Sequence, residues 1–189
     1  MRSGKHDDSP VYQLKVTLQG SNPPIWRRIQ VRGSTRLPGL HQILQIVMGW
    51  TDSHLHQFIV GDVYYGVPDP EWGWGVEIKN EQRVQLGQIV SGAKDEFIYE
   101  YDFGDSWEHE IVVEKILSAE TDASYPVCLT GKRACPPEDV GGIWSYDDFL
   151  EALRNPKHPE HEEYTAWIGG EFDPEAFDCQ AVNRELQRL

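Results

Sequence analysis

The sequence predicts an α+β fold: a mostly antiparallel sheet from the first two thirds of the chain, with the helices of the last third packed on it. Three observations carry this. Apolar and polar residues alternate with period two in several stretches up to about residue 114. Apolar spacing turns helical after about residue 145, and Gly, Pro, Asn and Asp punctuate the joins. A chain of 189 residues suits one domain, and seven Trp with eight Tyr supply the bulk for a packed core. The expected organisation is a flexible tail over residues 1–9 and a single domain over 10–189.

The elements follow in order. Tyr12, Leu14, Val16 and Leu18 alternate with Gln13, Lys15, Thr17 and Gln19, which is a half-buried strand. Gly20 to Pro24 is a turn. A second strand puts Ile25, Arg27, Ile29 and Val31 on one face and Trp26, Arg28, Gln30 and Arg32 on the other. If Arg27 is buried there, it needs an acidic or carbonyl partner. Ser34 or Thr35 is placed to cap a helix with Pro38 in its first turn and Gly49 at its end. Residues 54–60 and 63–65 read as strands joined by Gly61-Asp62. Residues 66–80 read as a long loop carrying Trp72 and Trp74, and Leu86 to Val90 as a short helix. Phe97 to Glu114 is a hairpin turning at Gly104-Asp105. Residues 118–144 read as irregular. Three helices follow: one from Ser145 with Asp148 in a capping-box position, one from about Pro159 to Trp167, and one capped by Asp173-Pro174. In the last, Phe177, Ala181, Val182, Leu186 and Leu189 face inward.

The formal net charge of −14 argues against a nucleic-acid partner for the protein as a whole, since acidic surfaces repel phosphate backbones. No stretch approaches the length of a spanning helix, and the polar start lacks a signal-peptide core. Three cysteines, Cys128, Cys135 and Cys179, are an odd count that suits reduced thiols and a cytoplasmic location. The charge is unevenly spread. No Asp or Glu occurs from Ser9 to Thr51, where Lys15, Arg27, Arg28, Arg32 and Arg36 lie; Asp95 to Asp122 holds ten acids and one base. Either Trp26, Arg28 and Arg32 form a weak nucleic-acid face, or the basic strands neutralise the acidic hairpin within the fold.

Two motifs suggest chemistry. In the hairpin, a two- or four-residue turn places Glu100 opposite His109 and Asp102 opposite Trp107, so His109 meets carboxylates on one face. A histidine so placed suits a general base or a metal ligand, and equally a structural charge pair. In His54-Leu55-His56, two imidazoles at i and i+2 of a strand share a face and can offer two ligands to one ion. With Asp102 and His109 they would make a divalent metal site for zinc, manganese or iron, though such a pair also occurs as hydrogen-bonding core residues. Cys128, Cys135, His158 and His161 do not have standard zinc spacing. Phosphate-loop, dinucleotide-binding, nucleophile-elbow and zincin motifs are absent from the sequence.

Six blocks carry a resemblance. They are Pro24-Ile25-Trp26-Arg27-Arg28, His54-Leu55-His56-Gln57-Phe58, Tyr101 to His109, Cys135 to Gly142, Trp167-Ile168-Gly169-Gly170, and Phe172 to Phe177. Together they resemble the Ri-plasmid ORF-three-like family, which includes TnpR-type passenger proteins of insertion elements. The resemblance implies an α+β domain of plasmids and mobile elements and no known reaction; a serine-recombinase signature is absent here. It adds Asp105, Glu138 and Asp139 to the residues of interest, with Asp102, His109, Glu138 and Asp139 as the catalytic candidates. The leading expectation is a non-catalytic binding or accessory protein that engages a protein partner or small ligand. It would use a Trp/Tyr-lined groove near residues 66–80, with Trp72 and Trp74. The alternative is a metal-dependent hydrolase or nuclease.

Overall fold

Alternation decides the centre of the sheet. In β1 (Val11–Leu18), Tyr12, Leu14, Val16 and Leu18 are buried, and in β2 (Trp26–Arg32) so are Arg27, Ile29 and Val31. Their side chains fill one face, so the two strands pair in a register that keeps Leu14 opposite Ile29 and Val16 opposite Arg27. The computed structural model describes residues 7–68 and 77–189. Within these, β3 (His56–Val60), β4 (Val63–Gly66), β5 (Ile78–Asn80), β6 (Glu96–Tyr101), β7 (Trp107–Leu117) and β8 (Val127–Lys132) complete an eight-stranded sheet. The order is β5-β4-β3-β6-β7-β1-β2-β8. Pairing is antiparallel throughout except for the parallel β4–β5 edge, so the sheet is mixed. β8 lies in the stretch expected to be irregular.

Five helices are described: α1 (Leu37–Met48), α2 (Leu86–Ile89), α3 (Gly142–Arg154), α4 (His161–Ile168) and α5 (Cys179–Leu186). Leu37, Leu40, Ile43, Leu44 and Val47 of α1 are buried and belong to the same core as the inner face of the sheet. Gly49 ends α1 in the left-handed conformation, as its position suggests. Neither Ser34 nor Thr35 caps the start. The Leu37 amide instead donates to Val84 O at 2.9 Å, so a neighbouring loop satisfies the helix end. α3 starts at Gly142, one turn before Ser145. α5 starts at Cys179, where the Asp178 carboxylate accepts from the Gln180 and Ala181 amides, while Asp173 only closes a local turn onto Glu175. Leu189 lies exposed beyond the end of α5.

The hairpin differs by one residue from the expected register. Tyr101 faces Trp107, Glu100 faces Glu108 and Tyr99 faces His109. The cause is Asp102. It takes a left-handed φ of +58°, its carboxylate accepts from the Gly104 amide at 2.9 Å, and its carbonyl accepts from the Ser106 amide at 2.6 Å. The connection therefore runs over five residues, Asp102 to Ser106. A one-residue slip exchanges the two faces of a strand. Phe97, Tyr99, Tyr101, Trp107, His109, Ile111 and Val113 are consequently the buried set, and Glu100 turns away to accept from Gln57 and Ser106.

Residues 1–6 of the expected tail lie outside the described residues. Asp7 accepts from Ser34, and Arg32 donates to its carbonyl. Among the described residues no helix is long and apolar enough to cross a membrane.

Candidate functional site

Three motif blocks meet at the turn between β6 and β7. The Asp102 amide donates to Leu55 O at 2.8 Å, which ties the turn to the segment leading into β3 and sets His54 beside it. Asp102 spends Oδ1 on the Gly104 amide and leaves Oδ2 facing His54 Nε2 at 3.7 Å. At the turn's tip, Asp105 accepts from the Gly141 amide at 3.0 Å. That bond holds the 139–142 loop against the hairpin and brings Asp139 Oδ1 to 3.2 Å from the same His54 Nε2. Asp139, like Asp102, has a left-handed φ, +62°, which an aspartate tolerates better than most side chains.

The ligand atoms of His54, Asp102 and Asp139 lie within 4.8 Å of one another. Donors about 2.1 Å from one divalent ion stand roughly 3–4 Å apart, so the spacing fits. His54 Nε2 is buried and makes no hydrogen bond of acceptable geometry to either carboxylate. Asp102 is buried at the base of the site and Asp139 is mostly exposed at its mouth, which leaves one side open. One imidazole and two carboxylates form a donor set for manganese, iron, zinc or magnesium, and two close carboxylates favour a cation on charge alone.

Glu138 frames the site without joining it. Its Oε1 accepts from the Tyr101 hydroxyl at 2.5 Å and its Oε2 from the Thr51 hydroxyl at 2.5 Å. Burial works against its charge, yet these hydrogen bonds prevail and hold its carboxyl below the usual range. Next to the site, Leu55, Val67, Ile78 and Phe103 line an apolar pocket of about 90 Å³.

Of the predicted metal ligands, His54 and Asp102 come together; His56 and His109 do not. His56 stacks on His41 with ring centres 3.5 Å apart and pairs with the buried Glu81 at 3.1 Å. A buried carboxylate requires such a partner, so His56 is held for the core. His41 in turn bonds Asp52 and the Tyr99 hydroxyl, both at 2.7 Å. Burial and the neighbouring His56 lower the pKa of His41. The partnership of His41, Asp52 and Glu81 joins distant segments and has no local sequence signal. His109 sits in β7 with its side chain on the core face, fully buried, with Nδ1 3.2 Å from Tyr99 O and its ring edge-on to Trp50. Among the described residues it meets no carboxylate, because the hairpin register puts it on the core face.

The basic face is largely spoken for within the fold. Arg28 makes two hydrogen bonds to Glu114 at 2.6 and 2.7 Å and lies over Trp26, and Arg32 lies over Tyr125. Arg28–Glu114 is thus an ion pair between the basic strands and the acidic hairpin, whereas Arg32 donates to the Asp7 carbonyl. Trp72 and Trp74 lie outside the described residues. Cys128 and Cys179 meet across β8 and α5, whereas His158 and His161 bond locally to Glu160 N and Ala152 O.

The docking of Gly142 makes the site's dependence on the loop testable. A Cβ at residue 142 would stand 2.7 Å from Asp105 O, and its φ is +80°. Gly142→Ala is expected to lower unfolding free energy by about 2 kcal/mol in urea melts. Gly169→Ala is the control: its φ is also positive, but a Cβ there meets nothing within 4 Å, so a smaller loss is expected. Equal losses would mean that the close approach to Asp105 is not the constraint.

The comparisons agree with the sequence blocks. The model of the plasmid pRiA4b ORF-3-like protein family matches residues 10–181. "Uncharacterized protein y4hQ" of Sinorhizobium fredii (strain NBRC 101917 / NGR234) is 43% identical over 182 residues, covering 95% of this chain and 92% of that protein. The crystal structure of "Protein of Unknown Function MM3350" from Methanosarcina mazei Go1 superposes with a TM-score of 0.83 at 38% identity, over 93% of this chain and 97% of that one. Neither description assigns an activity. On the family match and on relatives aligned over nearly their whole length, this chain belongs to the plasmid pRiA4b ORF-3-like family.

Proposed function

We propose that the protein is a cytoplasmic binding or accessory module, a single unit from residue 10 onward, that uses a divalent cation held by His54, Asp102 and Asp139 to engage an anionic group of its ligand or partner. The carrying observation is the convergence of these three side chains on a buried His54 Nε2 that has no hydrogen-bond partner of acceptable geometry among the described residues. The open mouth beside Asp139 leaves positions for a ligand, and the neighbouring Leu55 and Phe103 suit a partner with apolar surface next to its anionic group. Three free thiols support the compartment.

Titration of the metal-stripped protein with Mn²⁺ and with Zn²⁺ tests this. One equivalent of either is expected to bind and to raise the melting temperature, because an ion that binds only the folded state stabilises it. His54→Ala and Asp139→Asn are each expected to weaken binding at least about tenfold, the usual scale for a lost ligand contact. Absence of binding to the wild type, or equal binding to the variants, sinks the proposal.

A second reading rests on Glu138, whose charge stands close enough to interact with His54. A carboxylate beside an open cation site suits activation of water, hence a metal-dependent hydrolase. Turnover of a phosphodiester such as bis(p-nitrophenyl) phosphate with Mn²⁺ present, lost in Glu138→Gln, would favour it over binding alone.

A further inference from the structure

Arg27 is a buried cation with no carboxylate in contact with it among the described residues. It is 1% exposed. Its Nε donates to Val47 O at 2.7 Å, and Nη1 donates to Trp26 O at 2.9 Å and Lys132 O at 2.8 Å. The face of the guanidinium rests on the Phe177 ring, 4.1 Å from its centre. Gly131 makes room for that stack: a Cβ there would lie 2.7 Å from the Phe177 ring and 2.9 Å from Arg27 Cδ. Among the described residues no ion pair reaches Arg27, and Nη2 makes no hydrogen bond. Burial lowers its pKa, and the Cys135 and Cys128 thiols oppose that shift.

Arg27 borders a groove of about 480 Å³ between the end of α1, the 134–138 loop and the α4–α5 region. Its walls are mostly apolar, with Trp50, Pro136, Ile168, Phe172 and Val182 among them. Two carboxylates also line it, and both are engaged by protein donors. Glu138 accepts from Thr51 and Tyr101, and Asp178 accepts from the first amides of α5. The guanidinium is thus the charged group of the groove with a donor to spare.

We propose that this groove binds a small apolar monocarboxylate, a fatty or arylalkyl acid, with its carboxylate on Arg27 and its hydrocarbon against the Trp50 and Phe172 walls. The volume is in the range of small-molecule sites. A buried cation lacking a counter-charge gains most from an anion that arrives with apolar bulk, because the pair forms out of water and the tail covers it. The site is distinct from the cation centre and stands or falls separately.

Titration calorimetry of the full chain with octanoate and with octanamide, both in EDTA, tests it. Octanoate is expected to bind one to one, with a Kd on the order of 0.1–1 mM for a ligand of this size. The amide, matched in shape but uncharged, is expected to bind at least about tenfold more weakly. Ala176→Trp, at an exposed point of the wall, and Val182→Trp fill the groove; whichever of them keeps the wild-type melting temperature is expected to lose octanoate binding. The proposal is overturned by no octanoate binding, by equal binding of the amide, or by binding retained in the filled groove. Binding that appears only without EDTA also overturns it, since the carboxylate would then be sitting on an ion.

Discussion

Arg27→Lys is expected to destabilise the protein by about 3 kcal/mol. The substitution keeps the charge and most of the length, so the cost of burying a cation does not fall; an ammonium is hydrated more strongly than a guanidinium, so it rises. The planar fork is what is lost. Arg27 reaches Val47 O from one nitrogen and Trp26 O and Lys132 O from another, tying the last turn of α1 to the β2–β8 pair. A single ammonium on a flexible stem cannot sit in all three positions. Each buried carbonyl left without a donor costs about 1–3 kcal/mol, and the stack on Phe177 goes as well. Urea unfolding read by Trp fluorescence and by circular dichroism measures the loss. A change under about 1 kcal/mol would show that water or another donor replaces the fork, and that Arg27 is a guest of the core rather than its clamp.

The second large effect is on the acid side of neutrality. His109 is fully buried, and burial pushes its pKa down to about 4 from an ordinary value near 6.5, against the weaker opposing pull of hydrogen bonds with Tyr99 and Trp107. The fold therefore holds the neutral ring, with Nδ1–H donating to Tyr99 O and Nε2 without a partner among the described residues. Above about pH 6.5 both folded and unfolded chains carry it neutral, and stability from this residue is complete. As pH falls below 6.5 the unfolded chain takes up a proton that the folded chain refuses, so stability drops until about pH 4, where the folded chain begins to accept it. Over that window one histidine accounts for about 3 kcal/mol at about 1.4 kcal/mol per pH unit. His41, whose pKa is also lowered by burial, adds in the same direction. Urea melts at a series of pH values for wild type and His109→Gln measure the slope. The variant should lose the larger part of the decline between pH 6.5 and 4, and an unchanged slope would assign the acid sensitivity elsewhere.

The strands and the helix ends that rest on a local period or a local breaker were legible in the sequence, while the helix starts were placed less well. The alternation in residues 12–18 and 25–31 specified two strands and the buried faces they present, because a strand in a sheet wet on one side has no other way to hide its apolar residues. That same alternation put Arg27 inside and demanded carbonyls or an acid for it, and carbonyls are what it has. Gly49 as the end of α1 and the short α2 are of the same kind. His54, Asp102 and Asp139 could be singled out as residues of interest from their motif blocks.

Tertiary structure decided the rest, and the reason is distance along the chain. The hairpin register turned on whether Asp102 continued the strand or folded its carboxylate back onto Gly104, a choice of one φ angle that composition does not reveal. That choice sent His109 into the core. His56 was claimed by Glu81, a buried carboxylate that it pairs with at 3.1 Å. Asp139 reached His54 because Asp105 caps the Gly141 amide across the hairpin tip. Local patterning thus determined which residues were available, with the strands and helices to carry them. Which of them share one site depended on long-range packing, where each buried charge must find its partner from any part of the chain.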